Sequence, residues 1–96
     1  MARTTAIAST VAAADADVTV GAGESITVWT SQLLEGGESV SIYLTDGASE
    51  EVRVSEEEAG TAKVYAKNTC VALNGPAIFR LKKTETAAAV AVYYES

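Results

Sequence analysis

From Asp15 onward, apolar side chains return at every second position in short runs. Gly, Asn, Asp or Pro residues stand between the runs. In "SVSIYL", Val40, Ile42 and Leu44 share one phase, and Ser39, Ser41 and Tyr43 share the other. The same period gathers Val18 with Val20, Ile26 with Val28, Val64 with Ala66 and Val71 with Leu73. It also gathers Val52 with Val54, Phe79 with Leu81 and Val90 with Val92. A period of two belongs to the extended strand, whose side chains alternate between faces, whereas a helix repeats near 3.6. The pattern therefore predicts strands that bury one face and solvate the other. "GAGE", "LLEGGE", "TDGAS", "SEEEAG" and "NGP" separate them, and Asp46-Gly47 is the clearest hairpin signal. Only "TETAAAVAV" invites a helix through its alanines, and the β-branched and aromatic residues after it favour a strand. The expected fold is all-β. It is a small immunoglobulin-like or jelly-roll-like antiparallel β-sandwich of about 7–8 strands.

Residues 1–14 differ from the remainder of the chain. They hold no acid, glycine or aromatic, and consist mostly of Ala, Thr, Ser, Ile and Val. They read as a flexible or extended N-terminal arm that gains order against a neighbouring molecule, with residues 15–96 as a single sandwich domain. A first strand of the domain itself is the alternative. The stretch imitates a secretion signal, but its middle holds only Ile7 and Val11 as strong apolar residues, which favours the arm.

Composition narrows the chemistry. At 96 residues the chain makes one domain. A net charge of −6 argues against nucleic acid and against an anionic membrane as partners, since both call for clustered Lys and Arg. With no histidine, neither His-based metal sites nor Ser–His–Asp and Cys–His nucleophiles can be built. No glycine-rich phosphate loop is present. Glu50, Glu51 and the run Glu56–Glu58 lie in or beside turns and read as solvated loop faces, with a weak calcium site as the sharper alternative. Cys70 has no second cysteine to pair with and reads as a small buried hydrophobe. The expectation is a non-enzyme without cofactor or metal.

Aromatic placement is more informative. Trp29, Tyr43 and Tyr65 fall on the outward phase of their strands, and large aromatics on a wet face mark interfaces. A sugar platform is the related possibility, with Gln32 and Asn68 as candidate hydroxyl readers. Arg53, Lys63, Lys67, Arg80 and Lys82 sit on strands while acids gather in loops. That distribution suits symmetric self-association, or protection of strand edges. The expected assembly residues are Arg3, Ile7 and Val11 of the arm, with Trp29, Tyr43 and Tyr65 of the sheets.

The closing segment adds a resemblance. A turn "NGP" at residues 74–76 leads into "AIFRLKK", and a Thr/Ala connection leads into "VAVYYE". This order resembles the final hairpin of small β-sandwich virion proteins of tailed bacteriophages, of the head decoration or cement kind. Ala77 stands where a second glycine is usual, and Ala91 where glycine is expected before Val92. "GESITVWTS", "ESVSIYLTDGAS" and the Ala/Thr-rich start are similar in character to such proteins. The resemblance implies a structural role on the capsid surface of a virion. The protein would be a homo-oligomer bound to the major capsid protein or another virion protein. The alternatives are a host-surface module that recognises glycan or protein, and a plain immunoglobulin-like domain of a larger extracellular protein.

Overall fold

The computed structural model describes residues 3–46, 51–53 (backbone pairing alone) and 63–96. Its strands are β1 (Arg3–Thr10), β2 (Ala14–Val20), β3 (Ser25–Thr30), β4 (Val40–Thr45), β5 (Glu51–Arg53), β6 (Lys63–Val64), β7 (Cys70–Asn74), β8 (Ala77–Lys83) and β9 (Val90–Glu95). No helix occurs among the described residues. One sheet has the order β1-β9-β3-β7, and the other β2-β8-β4-β5, with the two-residue β6 also on β4. Every pairing is antiparallel.

With β6 set aside, the first strand pairs with the last, β2 with β8, β3 with β7 and β4 with β5. That is one long hairpin wound into two sheets, the jelly roll. An immunoglobulin sandwich pairs strands that are consecutive in the chain, such as its first two. Here β4 and β5 are the only consecutive strands joined in a ladder among the described residues.

Inward residues of both sheets form a single core, in which Val28, Val40, Ile42, Leu81 and Val92 are fully enclosed. Ile42 and Leu81 face each other across β4 and β8, and Val28 faces Val71 across β3 and β7. Each such side chain contributes about 1.5–3 kcal/mol on burial. Leu34 joins this core from the loop before β4.

The N-terminal segment is not an arm. Arg3–Thr10 form β1, which pairs with β9 from Arg3↔Glu95 to Thr10↔Val90, with register shifts between Thr5 and Ile7 and between Ile7 and Thr10. Ile7 lies opposite Val92 and is 5% exposed. An apolar side chain that fills the chain's own core has no area left for a neighbour, so β1 belongs to the sandwich. Two further expectations change. Leu44 keeps the inward phase but lies 41% exposed beside the Gly75–Pro76 turn. Ala66 is exposed because β6 stops at Val64 and the chain turns back between Tyr65 and Asn68. The Asp46-Gly47 turn, Val52, Val54, Arg53 and the run Glu56–Glu58 fall, in whole or in their side chains, outside the described residues.

The two ends of the roll are closed differently. At one end, the Gly75 N–H donates to the Glu24 carbonyl at 2.9 Å. A Cβ at Gly75 would run into the carbonyl oxygens of Val20 and Gly21, so this close backbone approach requires glycine. At the other end, Lys83 continues the inward phase of Phe79 and Leu81 and is 2% exposed. Its ammonium donates to the Ala12 carbonyl at 2.9 Å, the Thr84 carbonyl at 3.2 Å and the Thr86 hydroxyl at 3.2 Å. All three of its N–H groups are thereby satisfied, the condition on which a buried charge is tolerated. Beside it, the Glu38 carboxylate accepts from the Ala87 N–H at 2.8 Å and the Glu35 N–H at 2.9 Å. These two bonds, the Ala87 one foremost, hold the Glu38 carboxyl below the usual carboxylate range.

Candidate interaction face

The outer face of the β1-β9-β3-β7 sheet is built by register. Thr5 pairs with Tyr93, Tyr93 with Trp29 and Trp29 with Cys70, which makes one row across all four strands. The next row runs Arg3, Glu95, Thr27 and Ala72. The rows face outward because Val28, Val71 and Val92 hold the inner phase. Within them, the Arg3 guanidinium lies over the Tyr93 ring at 4.2 Å. The Tyr93 and Trp29 rings sit 5.9 Å apart at a tilt of 56°. A cation on an aromatic face and a tilted aromatic pair are both attractive through the ring quadrupole, at about 0.5–1.5 kcal/mol each. Arg3, Tyr93 and Trp29 thus form one stack that links the edge strand to the middle of the sheet.

On the β7 side of Trp29 the surface dips into an open groove of about 390 Å³. Trp29, Gln32, Leu33, Tyr65, Thr69 and Cys70 are among the residues that line it. Two loops shape it. The Ser31 N–H donates to the Ala91 carbonyl at 3.0 Å, and its hydroxyl oxygen accepts from the Ala91 N–H at 2.9 Å, so the chain after β3 is pinned to β9. Leu34 is drawn into the core, which leaves its neighbour Leu33 75% exposed. Across the groove, the Tyr65–Asn68 turn is closed by reciprocal N–H to carbonyl bonds of 3.0 Å. The Asn68 side-chain amide ties the turn to the Lys63 carbonyl at 3.0 Å, and the Lys63 ammonium lies 4.7 Å from the centre of the Tyr65 ring.

The opposite outer face, on β2, β8 and β4, is charged. Arg80 holds Asp17 through two bonds, Nε to Oδ1 at 2.8 Å and Nη2 to Oδ2 at 3.0 Å. The Arg80 hydrogen bond holds the Asp17 carboxyl below its ordinary value. Lys82 lies over the Tyr43 ring at 4.9 Å.

The six expected assembly residues therefore separate. Arg3 and Trp29 come together through Tyr93, and Tyr65 shares the groove with Trp29. Tyr43 stands on the opposite sheet, and Val11 is 49% exposed in the turn after β1. Ile7 is in the core. Cys70 is exposed rather than buried, because β7 turns Val71 and Leu73 inward and Cys70 out. Tyr93 escaped the sequence reading, although the parity of Val90 and Val92 marks it as outward. Among the described residues, no group of three or more His, Cys, Asp and Glu side chains is placed to hold a metal ion.

Fold and face together define a jelly-roll β-sandwich with an aromatic outer surface. Set against family models, curated proteins and solved structures, the chain matches none of them.

Proposed function

We propose that this protein is a non-enzymatic structural component of a virion, a decoration or cement protein that binds the assembled head on its capsid surface. The observation that carries the reading is the row Thr5, Tyr93, Trp29 and Cys70, with Arg3 stacked at its edge, across the full width of one sheet. A surface four strands wide, centred on two aromatics and carrying few charges, has the make-up of a protein interface core. The closing hairpin supports the reading from the sequence side, since β9 supplies Tyr93 and lies between β1 and β3. β1 contributes Arg3 to the face as a fixed strand, in place of the role expected of a free arm. The sandwich acts as a rigid plate, and modest contacts of many homo-oligomeric copies add up on a lattice. The partner is a major capsid protein or another virion protein. Fold alone does not carry the proposal, because jelly rolls serve many functions.

The test is co-sedimentation with empty shells assembled from a tailed-phage major capsid protein, taken from the genome that encodes this chain. The expected result is saturable binding at a fixed stoichiometry, weakened at least about tenfold by Trp29→Ala. Shells that sediment bare at saturating protein overturn the proposal. Light scattering of the free protein is expected to give a defined oligomer.

A further inference from the structure

The groove beside Trp29 has a chemistry that the broad face does not need. Its walls include two aromatic side chains brought from distant parts of the chain, Trp29 of β3 and Tyr65 of the turn after β6. None of the described residues that line it is charged, although the Lys63 ammonium sits 4.7 Å from the centre of the Tyr65 ring. Among the described residues, the Trp29 indole N–H, the Tyr65 hydroxyl and the Thr69 hydroxyl make no hydrogen bond within the protein. Gln32 donates one bond, to the Ala89 carbonyl at 3.3 Å, which holds its amide at the rim. The opening of about 390 Å³ lies at the small end of the range for ligand sites.

From this combination we infer that the groove binds a hexopyranose unit of an oligosaccharide. A pyranose presents an apolar C–H face and a girdle of hydroxyls. Aromatic walls cover the first, and uncommitted N–H and O–H groups at the rim pair with the second. A purely apolar ligand would leave the rim groups without partners. The open, shallow form suits one or two rings of a chain that continues past the site. The groove shares Trp29 and Cys70 with the row that carries the virion proposal, but a sugar titration of the free protein reads the groove alone, so the two proposals fail separately.

The chain contains a single tryptophan, and it stands at the site. Its fluorescence therefore reports occupancy directly. Full-length protein is titrated with maltotetraose, cellotetraose, mannotetraose and chitotetraose. The expected result is a saturable change in emission with at least one of the four. Tyr65→Ala and Thr69→Ala are each expected to weaken that binding about tenfold, the loss of one stacking or hydrogen-bonding partner. Tyr43→Ala, on the opposite sheet, is expected to leave it unchanged. Both groove variants alter half-exposed or exposed side chains, so they retain the fold, which far-ultraviolet circular dichroism checks. No saturable change with any of the four at tens of millimolar overturns the inference. So does binding that Tyr65→Ala and Thr69→Ala leave intact.

Discussion

On the outer face of β2, β8 and β4, Asp17 grips Arg80 with two hydrogen bonds and Lys82 lies over Tyr43. On the outer face of β1, β9, β3 and β7, Trp29 leans on Tyr93 and Arg3 lies over that ring. Both faces obey the same alternation, and both lie over the same core. They differ in how their side chains are satisfied. Charges on the first face neutralise one another in place and hold water, which makes a surface that resists association. On the second, Trp29 and Tyr93 stay half-exposed beside each other, and covering that aromatic area is favourable. Alternation alone marks a residue as outward. Whether that outward residue is solvated or recruited depends on its neighbours across the sheet.

The difference reaches inside the sandwich. The β2-β8-β4 sheet also carries a charge on its inner phase, Lys83, and the aromatic sheet does not. The largest expected effect is therefore at that position. Lys83→Ala strips the Ala12 and Thr84 carbonyls and the Thr86 hydroxyl of their shared donor, at a cost of about 3 kcal/mol. Urea unfolding is expected to show this as a lower midpoint, and thermal unfolding as a fall on the order of 15 °C. An unchanged midpoint would mean that the two sheets do not differ in this respect.

The aromatic face is sharpened by a double-mutant cycle. Trp29→Ala and Tyr93→Ala are each expected to destabilise modestly, with a coupling of about 0.5–1.5 kcal/mol between them. Additive effects would show that the rings meet without interacting.

The smallest effect belongs to the charged face. Arg80 lowers the folded-state value of Asp17 below its unfolded value, near 3.9. The stabilisation is therefore present above about pH 4 and is lost as pH falls through the folded value. The Asp17 side chain is 35% exposed, and solvent screening keeps the pair to about 0.5–1 kcal/mol. Asp17→Asn should lower the unfolding midpoint slightly at pH 7, and the gap should narrow as pH falls below about 4. A gap that did not narrow in acid would assign the effect to something other than the ion pair.

Several positions were legible from the sequence because they depend on parity within one strand. Val28, Ile42, Val71, Leu81 and Val92 point inward, and Trp29 and Arg80 point outward, as the alternation requires. Parity also reaches Lys83 and Tyr93, since each continues a phase set by its neighbours. Charge and aromatic bulk mask that count at both positions. Ile7 misled for a different reason. An Ala/Thr-rich stretch carries weak local preference, and the open edge of β9 decided its conformation. Leu33 and Leu34 are adjacent and alike, and only the path of one loop sends the second inward and the first out.

The sequence by itself determined that this chain makes short half-buried strands, the inward phase of most of them and that no histidine chemistry is possible. Alternation and composition act within a few residues, so they survive without knowledge of the rest. The tertiary structure alone decided that β1 pairs with β9, that the order is a jelly roll, and that Arg3, Tyr93 and Trp29 form one stack. It alone set Tyr65 across a groove from Trp29 and Tyr43 on the other side of the molecule. Those facts depend on which strand lies beside which, and pairing between distant strands is chosen by closure of the whole core rather than by any local pattern.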